Sequence, residues 1–346
     1  MEGWTQRGRP DYRARRYLSA VEAARFLGTT VEEVHRLVRE DRIPVQRASS
    51  GQQRFDIASL MPLAGDRTEV SGSRRSRLVI GGTVQDVICA DASHMKELDD
   101  DSVHLMVTSP PYFNAKMYSS PPVDGDLGNV HSMEEWFSRI AAVWRETFRV
   151  LQPGRRAFIN LMNLPVRLDG GSYRTLNLTG RTVDLCEDIG FVFKRDIVWH
   201  KTNGVRAPFG TYPFPGGILL NNMHEFILEL EKPSRGRASK YAHVTPEDRE
   251  ASRLDRDFWL SIKNSDVWQM NPEGSGDRRD HVAPFPIDLP SRLIRAFSFR
   301  RETVLDPFCG SGTTLVAASR LGRHGVGYEI VPGIAARAVE RLGHER

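Results

Sequence analysis

The sequence predicts an α/β fold preceded by a small separate domain, and three observations support this. After residue 77, short apolar runs alternate with longer amphipathic ones, as in an open sheet with helices on both faces. Residues 61–77 are poor in apolar side chains and rich in Gly, Ser and Arg, as expected of a linker. In residues 1–60, which precede this linker, the helical and strand-like patterns are short, as expected of a small domain. A chain of 346 residues can hold one large and one small domain.

Charge is distributed unevenly along the chain. Residues 1–77 hold 15 arginines, no lysine and 10 acidic residues, whereas the remainder is nearly neutral with 33 basic and 34 acidic residues. The planar guanidinium fork suits phosphate groups and guanine edges. The N-terminal segment therefore favours a nucleic-acid partner, with a solvated basic surface as the alternative.

The N-terminal segment predicts a helix-turn-helix with a wing. Residues 1–16 read as a basic arm, and residues 17–60 as two short helices joined by a Gly-Thr-Thr turn and followed by two short strands. The phrases YLSAVEAARFLG and VREDRIPVQR resemble the winged helix-turn-helix of excisionase and MerR-type DNA-binding domains. Helix pairs of this size also serve as protein-docking modules, but the arginines on the second helix and the wing favour contact with DNA. The candidate DNA contacts are Arg36, Arg39, Arg42, Arg47 and Arg54.

Residues 78–346 contain the predicted sheet. A long helix is expected from MEEWFSRIAAVWRETFRVL, ending before Pro153-Gly154, and a last helix in the tail. Shorter helices are expected in LTGRTVDLCEDIG, residues 287–299 and TTLVAASRLG. The expected strands are VQDVICAD, VHLMVTS, RRAFINLM, KRDIVWHK, EFILELEK, ETVLDPF and HGVGYEI.

One glycine-rich turn indicates a ligand site. In residues 303–314, TVLDPFCGSGTT, a buried strand meets a helix through Gly310 and Gly312, which let the backbone approach a ligand closely. The next strand ends in Glu329, where α/β sheets bind ribose hydroxyls. GxGxxG and GK[ST] are absent, so neither a dinucleotide fingerprint nor a P-loop is present. Together these features predict an adenosine-type cofactor.

A second motif, Ser109-Pro110-Pro111-Tyr112, follows an apolar strand. Two consecutive prolines fix the backbone and remove two N–H donors, which leaves carbonyl oxygens as acceptors. Alone, the motif could be a rigid turn. Its coincidence with the glycine turn and an acidic strand end indicates a catalytic site.

These motifs resemble those of the amino-group DNA methyltransferases, over roughly residues 83–343. DPFCGSGTT is similar to the family's cofactor motif, SPPY to its catalytic motif, and HVAPFP at 281–286 to a block that closes the methionine end of the cofactor pocket. Asp91 matches the acidic residue that, in this family, approaches the adenine ring of the cofactor. The resemblance implies S-adenosylmethionine as cofactor, bound by Asp91, His281, Ala283, Pro284, Phe285, Asp306, Phe308, Gly310, Gly312, Thr313, Thr314 and Glu329.

The order of the motifs implies a circularly permuted Rossmann-like sheet. The catalytic motif precedes the cofactor motif, which is the beta arrangement of this family. The strands that end at Glu329 and Asp91 should then be neighbours, although they are far apart in the chain.

The resemblance also implies a mechanism without a covalent intermediate. Ser109 Oγ and the Pro110 carbonyl would accept hydrogen bonds from the exocyclic amine of a base, and Tyr112 would stack on that base once it is flipped out. Serine before Pro-Pro favours N4 of cytosine, with N6 of adenine as the alternative. An RNA methyltransferase is a weaker alternative, and a transcriptional regulator with a silent methyltransferase fold is a different class.

Target recognition is expected in residues 202–222 and 232–280, where basic, irregular sequence precedes the HVAPFP block. Partners would be double-stranded DNA and a cognate restriction endonuclease.

Without an apolar run of 18 residues or a secretory signal, we expect a cytoplasmic, nucleoid-associated protein. Cys89, Cys186 and Cys309 form no CxxC pair and HExxH is absent, so no disulfide framework and no metal are expected.

Overall fold

A computed structural model gives the fold of this chain. It describes residues 17–18, 20, 23, 31–47, 53–60, 74–113, 123–130, 132–167, 173–202, 220–234, 240–272 and 285–345. Two compact units can be distinguished. The first comprises Met1–Glu69, Tyr112–Ile140 and Val166–Ser172, and the second comprises Val70–Pro111, Ala141–Pro165 and Tyr173–Arg346.

The N-terminal part of the first unit is a small α/β arrangement. Strand β1 (Tyr17–Leu18), helix α1 (Val31–Arg39), strands β2 (Val45–Arg47) and β3 (Gln53–Asp56) and helix α2 (Ile57–Leu60) follow in order. The strands form an antiparallel sheet in the order β1-β3-β2. Its apolar core consists of Ala23, Val34, Leu37, Ile43, Phe55 and Leu60.

These elements bear on the predicted winged helix-turn-helix. Helix α1 and strands β2 and β3 coincide with the expected second helix and wing strands. Of the expected first helix only Ala20 and Ala23 are described, both helical, and the remainder lies outside the described residues. The assignment of this domain to DNA binding therefore stays a prediction.

The second unit contains a nine-stranded sheet. Its strands are β4 (Arg74–Ile80), β5 (Thr83–Cys89), β6 (Val103–Thr108), β7 (Leu151–Leu161), β10 (Val192–Lys201), β11 (His224–Glu231), β12 (Val267–Met270), β13 (Thr303–Asp306) and β14 (His324–Tyr328). They are arranged in the order β12-β10-β11-β7-β6-β13-β14-β5-β4. The short strands β8 (Leu164–Arg167) and β9 (Tyr173–Leu176) lie outside this sheet.

The described residues beyond the N-terminal domain also form helices. They are α3 (Met133–Val150), α4 (Leu178–Ile189), α5 (Pro246–Ala251), α6 (Arg256–Lys263), α7 (Asp288–Phe297), α8 (Thr313–Arg320) and α9 (Pro332–Gly343), and a 3-10 turn spans Leu127–Asn129. In β6, Leu105 to Thr108 are all buried, so both faces of the central sheet are covered. Among the described helices, none is long and apolar enough to cross a bilayer.

The circular permutation is confirmed by the strand pairing. Strand β14 lies parallel to β5, with Tyr328 opposite Ile88, although 240 residues separate them in the chain. Strand β13 lies parallel to both β14 and β6. The carboxyl ends of β5, β14, β13 and β6 therefore meet at one edge of the sheet, hereafter the carboxyl edge.

Strand β4 was not expected, because residues 61–77 were assigned to a linker. Arg74–Arg77 instead pair antiparallel with β5. Asp86 on β5 accepts hydrogen bonds from Arg75 and, at 2.9 Å, from Arg77 Nε. Burial raises the pKa of Asp86, but these arginines outweigh it and lower the pKa overall. Ion pairing thus lets an arginine-rich segment form an edge strand.

A second difference concerns Pro153-Gly154, expected to separate helix from strand. Helix α3 ends at Val150 and β7 begins directly at Leu151, so both residues lie inside the strand. Gly154 has a φ of +79°, and its N–H donates to the Lys232 carbonyl at 2.6 Å. The glycine thus permits an irregular strand start that another residue would strain.

Candidate active site

The glycine-rich turn joins β13 to helix α8 at the carboxyl edge. Gly310 and Gly312 have φ values of +51° and +83°, in the left-handed region that favours glycine. A Cβ on Gly312 would lie 3.2 Å from Ala338 Cβ, whereas a Cβ on Gly310 would meet no atom within 4 Å. Gly312 is therefore needed for packing against α9. Gly310 leaves its backbone open to a ligand.

A buried carboxylate organises this turn. Asp306 Oδ1 accepts hydrogen bonds from Thr108 Oγ1 at 2.6 Å and from the Phe308 N–H at 3.0 Å. Its Oδ2 accepts from Thr314 Oγ1 at 2.6 Å. Because Thr108 ends β6 and Thr314 lies in the first turn of α8, the Asp306 carboxylate connects two strands, the turn and the helix.

Burial governs the protonation of this carboxyl group. Asp306 is 2% exposed. Burial raises its pKa to about 6, against the opposing effect of hydrogen bonds from Thr108, Thr314 and Phe308. Both oxygens of Asp306 thus accept hydrogen bonds within the protein, which fixes the turn that it holds. The assignment of Asp306 to the cofactor stays a prediction.

The two threonines that open α8 also have hydrogen-bond partners within the protein. Thr313 and Thr314 are buried. Thr313 Oγ1 accepts from Arg341 at 2.9 Å, and Thr314 Oγ1 donates to Asp306. Their contact with the cofactor stays a prediction. What the helix start offers a ligand is its backbone N–H groups, which lack intrahelical partners in the first turn.

Glu329 and Asp91 follow adjacent strands at the carboxyl edge, as predicted. The Glu329 N–H donates to the Ile88 carbonyl at 3.0 Å, which aligns the ends of β14 and β5. Glu329 Oε1 accepts from the Val331 N–H at 2.8 Å, and Asp91 Oδ1 accepts from the Ser93 N–H at 2.8 Å. Both carboxylates are thus fixed by the backbone that follows them.

The Ser109-Pro110-Pro111-Tyr112 motif begins where β6 ends. Ser109 and Tyr112 are partly exposed and Pro110 is buried. The chain is fixed on each side of the motif. Thr108 is bound to Asp306, and the fully buried Phe113 packs edge-to-face on Trp136 with ring centroids 6.5 Å apart. Thr108 and Phe113 were not singled out in the sequence, although both flank the motif.

The HVAPFP block is only partly described. His281, Ala283 and Pro284 lie outside the described residues. Phe285 was expected to contact the cofactor, but it is 8% exposed and belongs to the apolar core with Trp268 and Leu289. Phe308 is partly buried and packs edge-to-face on Trp144 at 5.9 Å. Both rings therefore pack within the fold, and their contact with the cofactor stays a prediction.

The cysteine within the turn is not a nucleophile in this environment. Cys309 is 5% exposed, and burial raises the pKa of its thiol well above the usual value, aided by the charges of Asp306 and Glu329. A Cβ on Gly327 would lie 2.7 Å from Cys309 Cβ, so the cysteine is packed tightly against β14. This agrees with its interpretation as a small packing residue.

His104, His243 and Glu302 place ligand atoms within 4.8 Å of one another at the amino ends of the strands. Glu302 is already paired with the buried Arg155, and His243 Nε2 lies 2.9 Å from Glu302 Oε1. A cation at this cluster would be repelled by the Arg155 guanidinium. The expectation of no metal stays a prediction.

The predicted recognition segment 232–280 is partly incorporated into the fold. Helices α5 and α6 and strand β12 lie within it, and β12 joins the sheet parallel to β10. Trp199 Nε1 donates to the Met270 carbonyl at 3.0 Å. Apolar positions such as Trp268 bury this segment instead of leaving it an irregular loop. Of the two predicted recognition segments, residues 203–219, 235–239 and 273–280 lie outside the described residues.

Known proteins similar to this chain identify its family. The family model of the N6 and N4 methyltransferases, described as DNA methylase, matches residues 103–340. The type II methyltransferase M.MjaI of Methanocaldococcus jannaschii is 32% identical over 290 residues, covering 74% of this chain and 90% of that protein. The chain belongs to this DNA methylase family.

Solved structures agree with this assignment. The putative DNA modification methylase TTHA0409 of Thermus thermophilus, complexed with S-adenosyl-L-methionine, has a TM-score of 0.58 and 34% identity over 74% of this chain and 92% of its own. The cytosine-N4-specific PvuII DNA methyltransferase has a TM-score of 0.55 over 75% of this chain and 86% of its own. At 18% identity it shows the shared fold alone.

The DNA methylase uses S-adenosylmethionine, and the carboxyl edge suits that cofactor. Gly310 leaves open space at the turn, the start of α8 offers N–H groups, and Glu329 and Asp91 present carboxylates from adjacent strands. Such a site accommodates an amino-acid carboxylate and ribose hydroxyls. When bound, the cofactor supplies an electrophilic methyl group on its sulfonium.

Removing the Thr314 hydroxyl should weaken cofactor binding. In Thr314→Val, Asp306 loses one of its donors, and we expect about tenfold weaker binding of S-adenosylmethionine in calorimetry. Thr314→Ser keeps the hydroxyl and should bind within about twofold of the wild type. Equal affinities for the two variants would show that the carboxylate does not organise the turn.

Ionisation of Asp306 should affect cofactor binding and stability in opposite directions. As the pH falls through about 6, protonation removes an acceptor from the network, so we expect affinity for S-adenosylmethionine to fall. Because the pKa in the folded protein lies above the ordinary value, the ionised group opposes folding, and its contribution to the free energy of unfolding falls as the pH rises through about 6.

Calorimetry and urea unfolding between pH 5 and 7.5 would measure both effects in the wild type and in Asp306→Asn, which does not titrate. A pH dependence of affinity that survives unchanged in Asp306→Asn would assign it to another group.

Proposed function

We propose that this DNA methyltransferase transfers the methyl group to the exocyclic N4 amine of cytosine in duplex DNA, at one short recognition sequence. The observation that carries the choice of base is Ser109, which occupies the first position of the Ser-Pro-Pro-Tyr motif. In the family, serine at this position favours cytosine, whereas Asp or Asn favours N6 of adenine. Methylation of adenine is therefore the alternative outcome.

The proposed mechanism begins from the weak nucleophilicity of the amine, whose lone pair is delocalised into the ring. Hydrogen bonds from the two N–H groups to Ser109 Oγ and to the Pro110 carbonyl would favour a more tetrahedral, nucleophilic nitrogen. On transfer, the C–S bond of the donor would break to leave a neutral thioether, and the methylated nitrogen would release one proton to solvent. Pro110 and Pro111 have no N–H groups to compete for these acceptors. Tyr112 would stack on the base after it leaves the duplex.

Orientation supplies most of the catalysis in this proposal, because the methyl donor is already a strong electrophile. The Asp306 network supports this view. Thr108 Oγ1 binds Asp306 Oδ1 at 2.6 Å, so the residue before Ser109 is tied to the turn that would hold the cofactor. One buried carboxylate, that of Asp306, would thus position both the hydrogen-bond acceptors of the catalytic motif and the cofactor that carries the methyl group.

DNA contacts are proposed on two parts of the chain. Arg39 and Arg42 are exposed at and just beyond the end of α1, whereas Arg36 is paired with Glu33 and Glu40. Arg54 is half-buried on β3, and the side chain of Arg47 lies outside the described part of the chain. Sequence recognition is assigned to residues 202–222 and 232–280, of which 203–219, 235–239 and 273–280 lie outside the described part of the chain.

Base-resolved sequencing of DNA from a methylation-free host that expresses this chain tests the proposal. We expect N4-methylcytosine at one short motif. N6-methyladenine instead would keep the fold and cofactor but overturn the assignment from Ser109. No modification, with soluble protein that binds S-adenosylmethionine, would favour a regulator or an RNA methyltransferase.

Ser109→Ala should lower kcat about ten- to a hundredfold through loss of one hydrogen bond, with little change in affinity for S-adenosylmethionine. Ser102→Ala, which removes a hydroxyl just before β6 begins, is the matched control and should leave kcat unchanged. If Ser109→Ala kept the kcat of the wild type, the Ser109 side chain would have no part in the mechanism.

The arginines of the N-terminal domain give a separate prediction. Arg39→Gln and Arg42→Gln should each weaken DNA binding and reduce the slope of log affinity against log salt by about 0.9. Arg195→Gln, which removes the same charge near the amino end of β10, should leave the slope unchanged. Equal effects of all three variants would indicate a general charge effect and not a contact surface.

A further inference from the structure

A cavity of about 280 Å³ lies apart from the carboxyl edge. It is lined by ten residues, of which five are arginines: Ala251, Ser252, Arg253, Leu254, Arg295, Arg300, Arg320, Leu321, Gly322 and Arg323. Arg300 precedes β13, and Gly322 and Arg323 precede β14. The cavity is therefore at the amino ends of the central strands, opposite the end where the cofactor turn and the catalytic motif lie.

Three of the five arginines are neutralised locally. Arg253 pairs with Glu250 at 2.7 Å, Arg320 with Glu345 at 2.7 Å, and Arg295 with Asp255 at 2.5 Å. These pairs are largely exposed and contribute little to stability. The net positive charge at the cavity therefore comes from the other two arginines, Arg300 and Arg323.

Arg300 and Arg323 have no carboxylate within ion-pairing distance among the described residues. The Arg323 guanidinium donates to neutral oxygens only: the Ser298 carbonyl at 2.5 Å, Ser298 Oγ at 3.2 Å and the Leu321 carbonyl at 2.5 Å. Arg323 is 4% exposed. Burial lowers its pKa to about 10, opposed by Glu302 and reinforced by Arg300 and Arg295. Burial and the neighbouring positive charges thus disfavour the charged form of Arg323, and a further anion at the cavity would favour it.

The backbone around Arg300 is arranged to hold it at the cavity. Its N–H donates to Ser252 Oγ at 2.8 Å, and that hydroxyl donates to the Asp248 carbonyl at 2.6 Å. A Cβ on Gly322 would lie 2.8 Å from Arg300 Nε, so the guanidinium lies close to the backbone at this glycine. Gly322 also has a φ of +73°. The site is thus built before any ligand arrives.

We propose that this cavity binds an oxyanion of the phosphate class, with Arg300 as a direct ligand and Arg323 as the buried charge beneath it. Arginine binds phosphate oxygens through parallel N–H donors. The volume suits one phosphate group and its water. Two sources share this chemistry: a free phosphate and a phosphodiester of a DNA segment that passes the amino end of the sheet.

The neighbouring Arg301 provides a matched control. It pairs with Asp248 at 3.6 Å, is 76% exposed and does not line the cavity. Arg300→Gln and Arg301→Gln therefore remove the same charge from adjacent positions of the full-length chain. Neither residue belongs to the cofactor or catalytic site, so methylation at saturating DNA should be unchanged in both.

The first arm measures melting temperature and calorimetric binding with sodium phosphate, against sodium chloride at equal ionic strength. We expect phosphate to stabilise the wild type and Arg301→Gln, and to bind Arg300→Gln at least about tenfold more weakly. Equal responses of the three proteins, or none, would overturn the proposal.

The second arm distinguishes the sources by DNA affinity between 50 and 200 mM salt. If the anion is a DNA phosphate, Arg300→Gln should reduce the salt slope by about 0.9 relative to Arg301→Gln. If phosphate binding depends on Arg300 but the two slopes are equal, a free phosphate is the ligand. Failure of base modification with intact phosphate binding would contradict the proposed methylation and leave this site standing.

Discussion

The buried Asp306 carboxylate is the interaction on which the carboxyl edge depends. It receives donors from the last residue of β6, from the glycine turn and from the first turn of α8. A carboxylate removed from water costs free energy unless its oxygens are satisfied. Here three donors from three elements satisfy it, so these elements must come together in one arrangement. The residue needed for an ordered turn is also the residue that fixes the strand leading into the catalytic motif.

The same dependence explains why chain order matters little for this site. Strands β5, β14, β13 and β6 lie side by side, but the chain visits β5 and β6 early and β13 and β14 last. Contacts such as the Glu329 N–H to the Ile88 carbonyl and Thr108 to Asp306 join segments far apart in sequence. What a parallel sheet requires is strand register and direction, and a permuted chain preserves both.

Periodicity predicted the central strands and the larger helices, because buried parallel strands are continuously apolar and their boundaries are marked by glycine and proline. It missed β4, where Arg75 and Arg77 are polar but satisfied by Asp86. It also took α5, α6 and β12 for irregular sequence. At the candidate site, the sequence predicted that the strands leading to Glu329 and Asp91 are neighbours, and the strand pairing confirms this. The burial of Thr313, Thr314 and Phe285 was not predicted, because a motif gives residue type and spacing but not which face of an element is buried.

At the amino end of the sheet, two buried charged groups differ in whether a described residue of opposite charge pairs with them. At the amino end Glu302 binds Arg155 and lies beside His243, so the carboxylate is neutralised within the protein. Arg323, which is equally buried, bonds only neutral oxygens. Breaking a buried ion pair is costly, and a buried arginine without a counterion carries a comparable penalty in the native state. A protein retains such a residue at little cost when an external anion completes the pair. The proposed anion would then supply, at the amino end of the sheet, the counterion that Arg323 lacks among the described residues.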